Sequence, residues 1–154
     1  MVLLVHMLSG AAIGSLLAKN IILAAFLAFL SHYFLDLFPH VEYDIQNISK
    51  RQTSERAKVV VKILADFLLG MLLITFFSNF EALKHPAFFI CAFFAIIPDG
   101  LTVLNNLFPN KILQAHNFLH TQKIHFLKYK KIPIFWRFLS QIIAVIVSLL
   151  ILAY

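Results

Sequence analysis

The feature that most constrains this chain is a succession of apolar runs long enough to cross a bilayer. A membrane-spanning helix needs about 20 apolar residues, with a range of about 17–25. Five stretches reach or approach that length: residues 2–18, 21–38, 59–77, 82–108 and 132–154. The rest of the composition agrees. Of 154 residues, 61% are hydrophobic and only 13% charged, against about 45–50% and about 25% in an average soluble domain. A soluble enzyme, a disordered tail and a disulfide scaffold are excluded. Cys91 is the one cysteine and lies in an apolar run, so nothing points to an oxidising compartment.

The expected fold is therefore all-α: a single polytopic membrane domain over residues 1–154, with about five transmembrane helices. Lys19-Asn20 is the only polar break between the first two runs and predicts a tight helical hairpin; one long kinked helix is the alternative. The N-terminus has no cationic region and no small-residue cleavage site, so it does not read as a signal peptide. Pro98-Asp99-Gly100 interrupts the fourth run. Proline removes a helical hydrogen bond, so this span either ends near Ile97 or is broken inside the membrane. Residues 39–57 and 109–131 are polar enough to be loops. Gly10 and Gly14, followed by Ala18, form a small-residue stripe suited to close helix contact.

Orientation follows from the cations. With five spans, the N-terminus and both polar loops share a face. That face carries Lys50, Arg51, Arg56, Lys58, Lys62, Lys111, Lys123, Lys128, Lys130, Lys131 and Arg137; the other has Lys19 and Lys84. Such asymmetry predicts that the N-terminus and loops are cytoplasmic, in an inner cell membrane. Trp136, Tyr129 and Tyr154 suit the interfaces.

The residues that lipid rejects gather on this same side. Asp36, Asp66 and Asp99 lie within apolar runs, as do His6 and His32. Each ionised side chain near the bilayer centre costs about 2.5–3.5 kcal/mol on insertion scales. His40, Asp44, His116, His120 and His125 fall in the two loops, so six of the seven histidines share the cytoplasmic side, His85 excepted. His32, Asp36 and His40 recur every four residues, which stacks them about 6 Å apart along a helix, although His40 follows Pro39 and falls past the helix end. His116 and His120 are also four apart, a spacing at which two imidazoles can bind one metal. A set of His and Asp without Cys favours zinc, with manganese or iron as alternatives, as one or two ions. The expected metal ligands are His6, His32, Asp36, Asp66, His116 and His120. Asp99 and His40 are the expected catalytic groups, Asp99 as the base.

Simpler readings stand beside these. Asp66 can pair with Lys62 one turn back, Pro98-Asp99-Gly100 can be a turn, and His116 with His120 can be an exposed loop pair. His125 and Asp44 read as solvated, and His85 as structural. The cationic loops would also attract anionic head groups or a phosphorylated, lipid-like substrate. No nucleic-acid-binding module is recognisable.

His6 before Ser9-Gly10, Ser31-His32 through Asp36 to Pro39-His40, Pro98-Asp99, and His116-Asn-Phe-Leu-His120-Thr121 together resemble the small integral-membrane metal-dependent hydrolases, the YdjM-like group. The likeness covers nearly the whole chain in order and topology. It implies a metal-dependent hydrolase comparable to zinc-dependent phospholipases C, acting on a phosphoester of a lipid or amphiphile at the cytoplasmic leaflet. Two other classes remain open: a scaffold that uses its metal to hold helices together, and an ion or proton carrier.

Overall fold

In the computed structural model, five long helices run back and forth and a short helical segment closes one end. The described residues are 1–41 and 53–154, without the side chains of Lys128 and Tyr129; Asp44, Lys50 and Arg51 lie outside them. The elements are α1 (Leu3–Leu16), α2 (Ile21–Asp36), α3 (Thr53–Phe77), α4 (Ala87–Leu107), α5 (Lys111–Phe118) and α6 (Ile134–Ala153). No strand occurs among the described residues.

Three helices, α3, α4 and α6, are long and apolar enough to span a membrane. Their exposed surfaces carry Leu68, Leu72, Phe76, Phe93, Ile142 and Leu150, side chains that a lipid surround would cover. This is a membrane protein by the length and apolarity of those helices. The first two helices are shorter. With 14 and 16 residues, α1 and α2 extend about 21 and 24 Å at 1.5 Å per residue, short of the ~30 Å hydrocarbon core.

The expected hairpin forms. The turn after α1 leads into Asn20, whose side chain accepts a hydrogen bond from the Leu23 N–H and so caps α2. Helix α1 is apolar all round, and such a helix belongs in an interior. It touches α2, α3, α4 and α6 and buries residues on every side, among them Val5, Met7, Leu8 and Ala11.

The small-residue stripe is a helix crossing, as expected. A Cβ added at Gly10 would lie 2.5 Å from the Cys91 carbonyl oxygen and 2.7 Å from the Ala95 Cβ, and one at Gly14 would lie 2.5 Å from the Ala87 carbonyl oxygen. Helix α4 therefore runs directly against the α1 backbone. Helix α2 presents Ala24, Ala25 and Ala28 to the same crossing, where they pack with Cys91 and Ala95. The buried face of α2 then continues, at four-residue steps, from Ala28 to His32 and Asp36. The stripe that brings the helices together thus leads straight into the polar residues.

Two expectations change. Pro98-Asp99-Gly100 neither ends nor interrupts the fourth helix, because α4 continues through Pro98 to Leu107. Proline removes one N–H from the ladder, and Pro98 is buried in the packed face of α4. The segment expected as a loop from 109 is mostly helical. Asn110 caps α5 by accepting from the Leu113 N–H at 2.9 Å. A π-helical turn (Leu119–Ile124) and a short 3-10 turn (Phe126–Tyr129) follow.

Candidate metal centre

The Asp36 carboxylate ends α2 and is fully buried. Five imidazoles converge on it. The Nε2 atoms of His125, His32 and His120 lie 2.9, 3.1 and 3.2 Å from its Oδ2. Those of His6 and His40 lie 3.3 and 3.6 Å from its Oδ1. The Met1 amino group is 2.5 Å from Oδ1. Asp99, on α4, reaches the same group through Oδ1, 3.7 Å from His32 Nε2.

The outward-facing ring nitrogens fix how these imidazoles present themselves. His32 Nδ1 is 2.7 Å from the Ala95 carbonyl oxygen, and His40 Nδ1 is 2.7 Å from the Phe38 carbonyl oxygen. A carbonyl only accepts, so each Nδ1 carries the proton and each Nε2 turns a lone pair inward. His120 Nδ1 faces the Thr102 hydroxyl at 3.1 Å, and that hydroxyl donates to the Pro98 carbonyl. Nδ1 of His120 is then the donor, and its Nε2 also faces in. Metal-binding histidines are held in this way, with the distal N–H given to a carbonyl or hydroxyl that sets tautomer and ring orientation.

The Nε2 atoms meet closely. His32 Nε2 and His120 Nε2 are 3.1 Å apart, as are His120 Nε2 and His125 Nε2. Two lone pairs that face each other, as the Nδ1 hydrogen bonds of His32 and His120 imply for their Nε2 atoms, repel at this range unless a proton or cation lies between them. Two nitrogens bound tetrahedrally at about 2.0–2.1 Å stand about 3.3 Å apart, close to the observed spacing. The His6 Nδ1 atom is buried without a hydrogen-bond partner, although buried polar groups nearly always have one. The donor set therefore fits a divalent cation. Ligand atoms within 4.8 Å of one another form three overlapping groups: His6, His32 and Asp36; His32, Asp99 and His120; and Asp36, His120 and His125.

Most of the expected residues gather here: His6, His32, Asp36, His120, Asp99 and His40. Burial pushes the His40 imidazole down to about 4 against the opposing pull of Asp36, so it is neutral at physiological pH. His116 stands at the rim. Its Nε2 is 3.0 Å from the Tyr33 hydroxyl, and its ring lies 5.6 Å from that of His120; burial lowers its pKa too. Asp66, expected as a ligand, lies elsewhere. Its Oδ2 accepts from the Leu4 N–H at 2.9 Å, capping the first turn of α1, where a carboxylate also meets the positive end of the helix dipole.

His125, expected to be solvated, is 4% exposed and stands in the centre. The π-helical turn explains this. Its backbone bond from His125 N–H to the His120 carbonyl spans five residues, so positions five apart share a face. Asp66, expected as a ligand, is thus an α1 cap, and His125, expected as solvated, is a member of the cluster. His125→Ala will lower metal affinity by at least the 10–100-fold typical of residues that support a metal site. Asp66→Asn will leave metal content unchanged and lower thermal stability. Titration with zinc, combined with thermal melts in detergent, measures both.

No family model, curated protein or solved structure matches the chain.

Proposed function

We propose that this chain is a metal-dependent hydrolase of the inner membrane that cleaves a phosphoester of a lipid or amphiphile at the cytoplasmic leaflet. The observation that carries the reading is the convergence of five inward-facing Nε2 atoms on Asp36, with Asp99 beside them and partly open. A site that served only to hold helices would leave no open coordination position, whereas a catalytic one keeps a side open to water or substrate. Asp99 keeps 22% of its side chain exposed while Asp36 keeps none. The motif resemblance to the YdjM-like hydrolases supports the same class.

Helices α1, α2, α3, α4 and α6 are all proposed as spans: the short α1 is held among α2, α3, α4 and α6, and α2, packed on α1 and α4, turns Ile22, Phe26 and Phe34 outward to lipid. The cluster end of the bundle holds the starts of α1 and α3 and the end of α2. Arg56, Lys58, Lys62, Lys111, Lys123, Lys130, Lys131 and Arg137 belong to that end, whereas Lys19 and Lys84 sit at the turns of the opposite end. That imbalance supports a cytoplasmic active face. It also weighs against an ion carrier, which would need polar groups through both leaflets.

Zinc is the favoured metal, as one or two ions, because the donors are nitrogen and oxygen. When bound, such a cation supplies polarisation of a phosphoryl oxygen and a water acidified to a pKa near 7. The protein's own groups do the rest. His32 and His120 are locked by Ala95 and Thr102, so their Nε2 atoms need no reorganisation. Asp99 Oδ1 is placed to take the proton from the attacking water. The basic face concentrates anionic head groups at the interface.

The test is head-group release from phosphatidylglycerol and phosphatidic acid vesicles carrying zinc-loaded protein. Asp99→Asn should cut turnover about 10²–10⁴-fold, the range for a general base, with metal content retained. No release from either lipid by metal-loaded wild-type protein would overturn the reading in favour of a scaffold.

A further inference from the structure

One route into the cluster does not start from water. A cleft of about 350 Å³ lies between α3 and α4, with Leu3 of α1 as its floor. Its size falls within the ~300–1,000 Å³ of ligand sites. Ile63, Leu64, Phe67, Ile96 and Val103 form its sides, and Asp99 is the one ionisable group in its wall. Asp99 also stands 3.7 Å from His32 Nε2. The cleft and the candidate metal centre therefore share a carboxylate.

Both flanking helices are long enough to cross the bilayer, so the mouth of the cleft faces hydrocarbon. Leu64, at its rim, is 54% exposed. Gly100 widens it, since a Cβ there would meet nothing within 4 Å. Lys62 precedes Ile63 on α3 and is exposed outside the residues that line the cleft, so it adds a cation to the surface near this end. An apolar trough open to hydrocarbon, with a carboxylate at the end nearest the cluster, suits an acyl chain, and the nearby lysine suits an anionic head group.

We propose that the α3–α4 cleft receives an acyl chain of an anionic phospholipid, which enters sideways from the bilayer. The chain lies past Ile96 and Phe67, and the phosphoester stands at Asp99 and Gly100. This assignment rests on the hydrolase reading for its catalytic meaning, but the binding site is testable separately.

The probe is a phosphatidic acid with a diazirine in its acyl chain, added in trace amount to vesicles of phosphatidylcholine and phosphatidylglycerol that hold the full-length protein. After irradiation, labelled positions are mapped by mass spectrometry. Label should concentrate on peptides containing Leu64 and Ile96. Gly100→Leu projects into open space and leaves the fold intact, and should reduce that label about tenfold, equivalent to ~1.4 kcal/mol of binding. Leu64→Trp, at the rim, should do the same. Zinc content should stay at the wild-type level in both. Ala144→Trp, in the separate apolar groove between α1, α2 and α6, should change nothing.

Label spread evenly over the exposed faces of α3, α4 and α6, or lost on Ala144→Trp, would overturn the assignment. Labelling at the cleft without head-group release would uphold the lipid site and remove the hydrolase. Release that is indifferent to Gly100→Leu and Leu64→Trp would remove the cleft as the route while sparing the hydrolase.

Discussion

Asp36→Asn will abolish stoichiometric metal binding, weakening it by at least about 100-fold, the upper end for supporting residues, and will do so without unfolding the bundle. The substitution keeps shape and removes charge. Asp36 supplies the anion shared by two of the three candidate ligand groups, and five imidazoles face it, so a cation left with imidazoles and the peripheral Asp99 loses its central electrostatic partner in a medium of low dielectric. The apo fold should survive because an Asn amide at 36 can donate N–H groups to the inward lone pairs of neighbouring imidazoles. Metal-linked stabilisation will disappear instead. Saturating wild type at 100 times Kd adds about 2.7 kcal/mol, a rise on the order of 5–10 °C for a domain of this size. In Asp36→Asn the same zinc addition should move Tm by less than about 1 °C, within the ordinary scatter of surface effects. Thermal melts with and without zinc measure the difference.

Gly10→Val will be the most damaging substitution in the apolar part of the chain. Its Cβ would stand 2.5 Å from the Cys91 carbonyl oxygen, 2.7 Å from the Ala95 Cβ and 3.0 Å from the Ala92 Cα. Two of those atoms belong to the α4 backbone and cannot swing aside. Overpacking of a tight interior costs typically 1–3 kcal/mol and occasionally more, and a backbone clash lies at the upper end. The effect should reach the cluster, since the Ala95 carbonyl that Gly10 crowds in the same residue holds His32 Nδ1. Gly10→Val should therefore lose both thermal stability and metal, whereas Gly100→Leu should lose neither. Parallel melts and metal analysis of the two glycine variants separate close packing from a general sensitivity of glycines.

Much of this arrangement is legible in the sequence. The apolar runs marked five helices, Lys19-Asn20 marked the hairpin, and Gly10 with Gly14 marked the crossing. His32 and Asp36 share a face because an α-helix returns every 3.6 residues, and that periodicity is written in the chain. His125 was illegible for the converse reason. It meets His120 across a π-helical turn, a rare geometry that tends to occur at functional sites, and the spacing that mattered was five. The place of Asp66 is not written in the sequence, because its partner is the backbone N–H of Leu4, 62 positions away, and backbone donors leave no mark there. The continuity of α4 through Pro98 is a matter of packing outweighing one lost hydrogen bond. Thr102 carried no signal of its own, since its part is to hold His120 from behind.

Binding of a metal ion by these histidines and carboxylates is tested by X-ray absorption at the zinc edge of the purified, zinc-loaded protein. The spectrum should show zinc bound by nitrogen and oxygen at about 2.0–2.1 Å, with the outer-shell scattering of several imidazoles and no sulfur. This signal should be lost in Asp36→Asn and retained in Asp66→Asn. Protein that takes up no stoichiometric metal, or a spectrum with zinc–sulfur scattering near 2.3 Å from the remote Cys91, would contradict such binding.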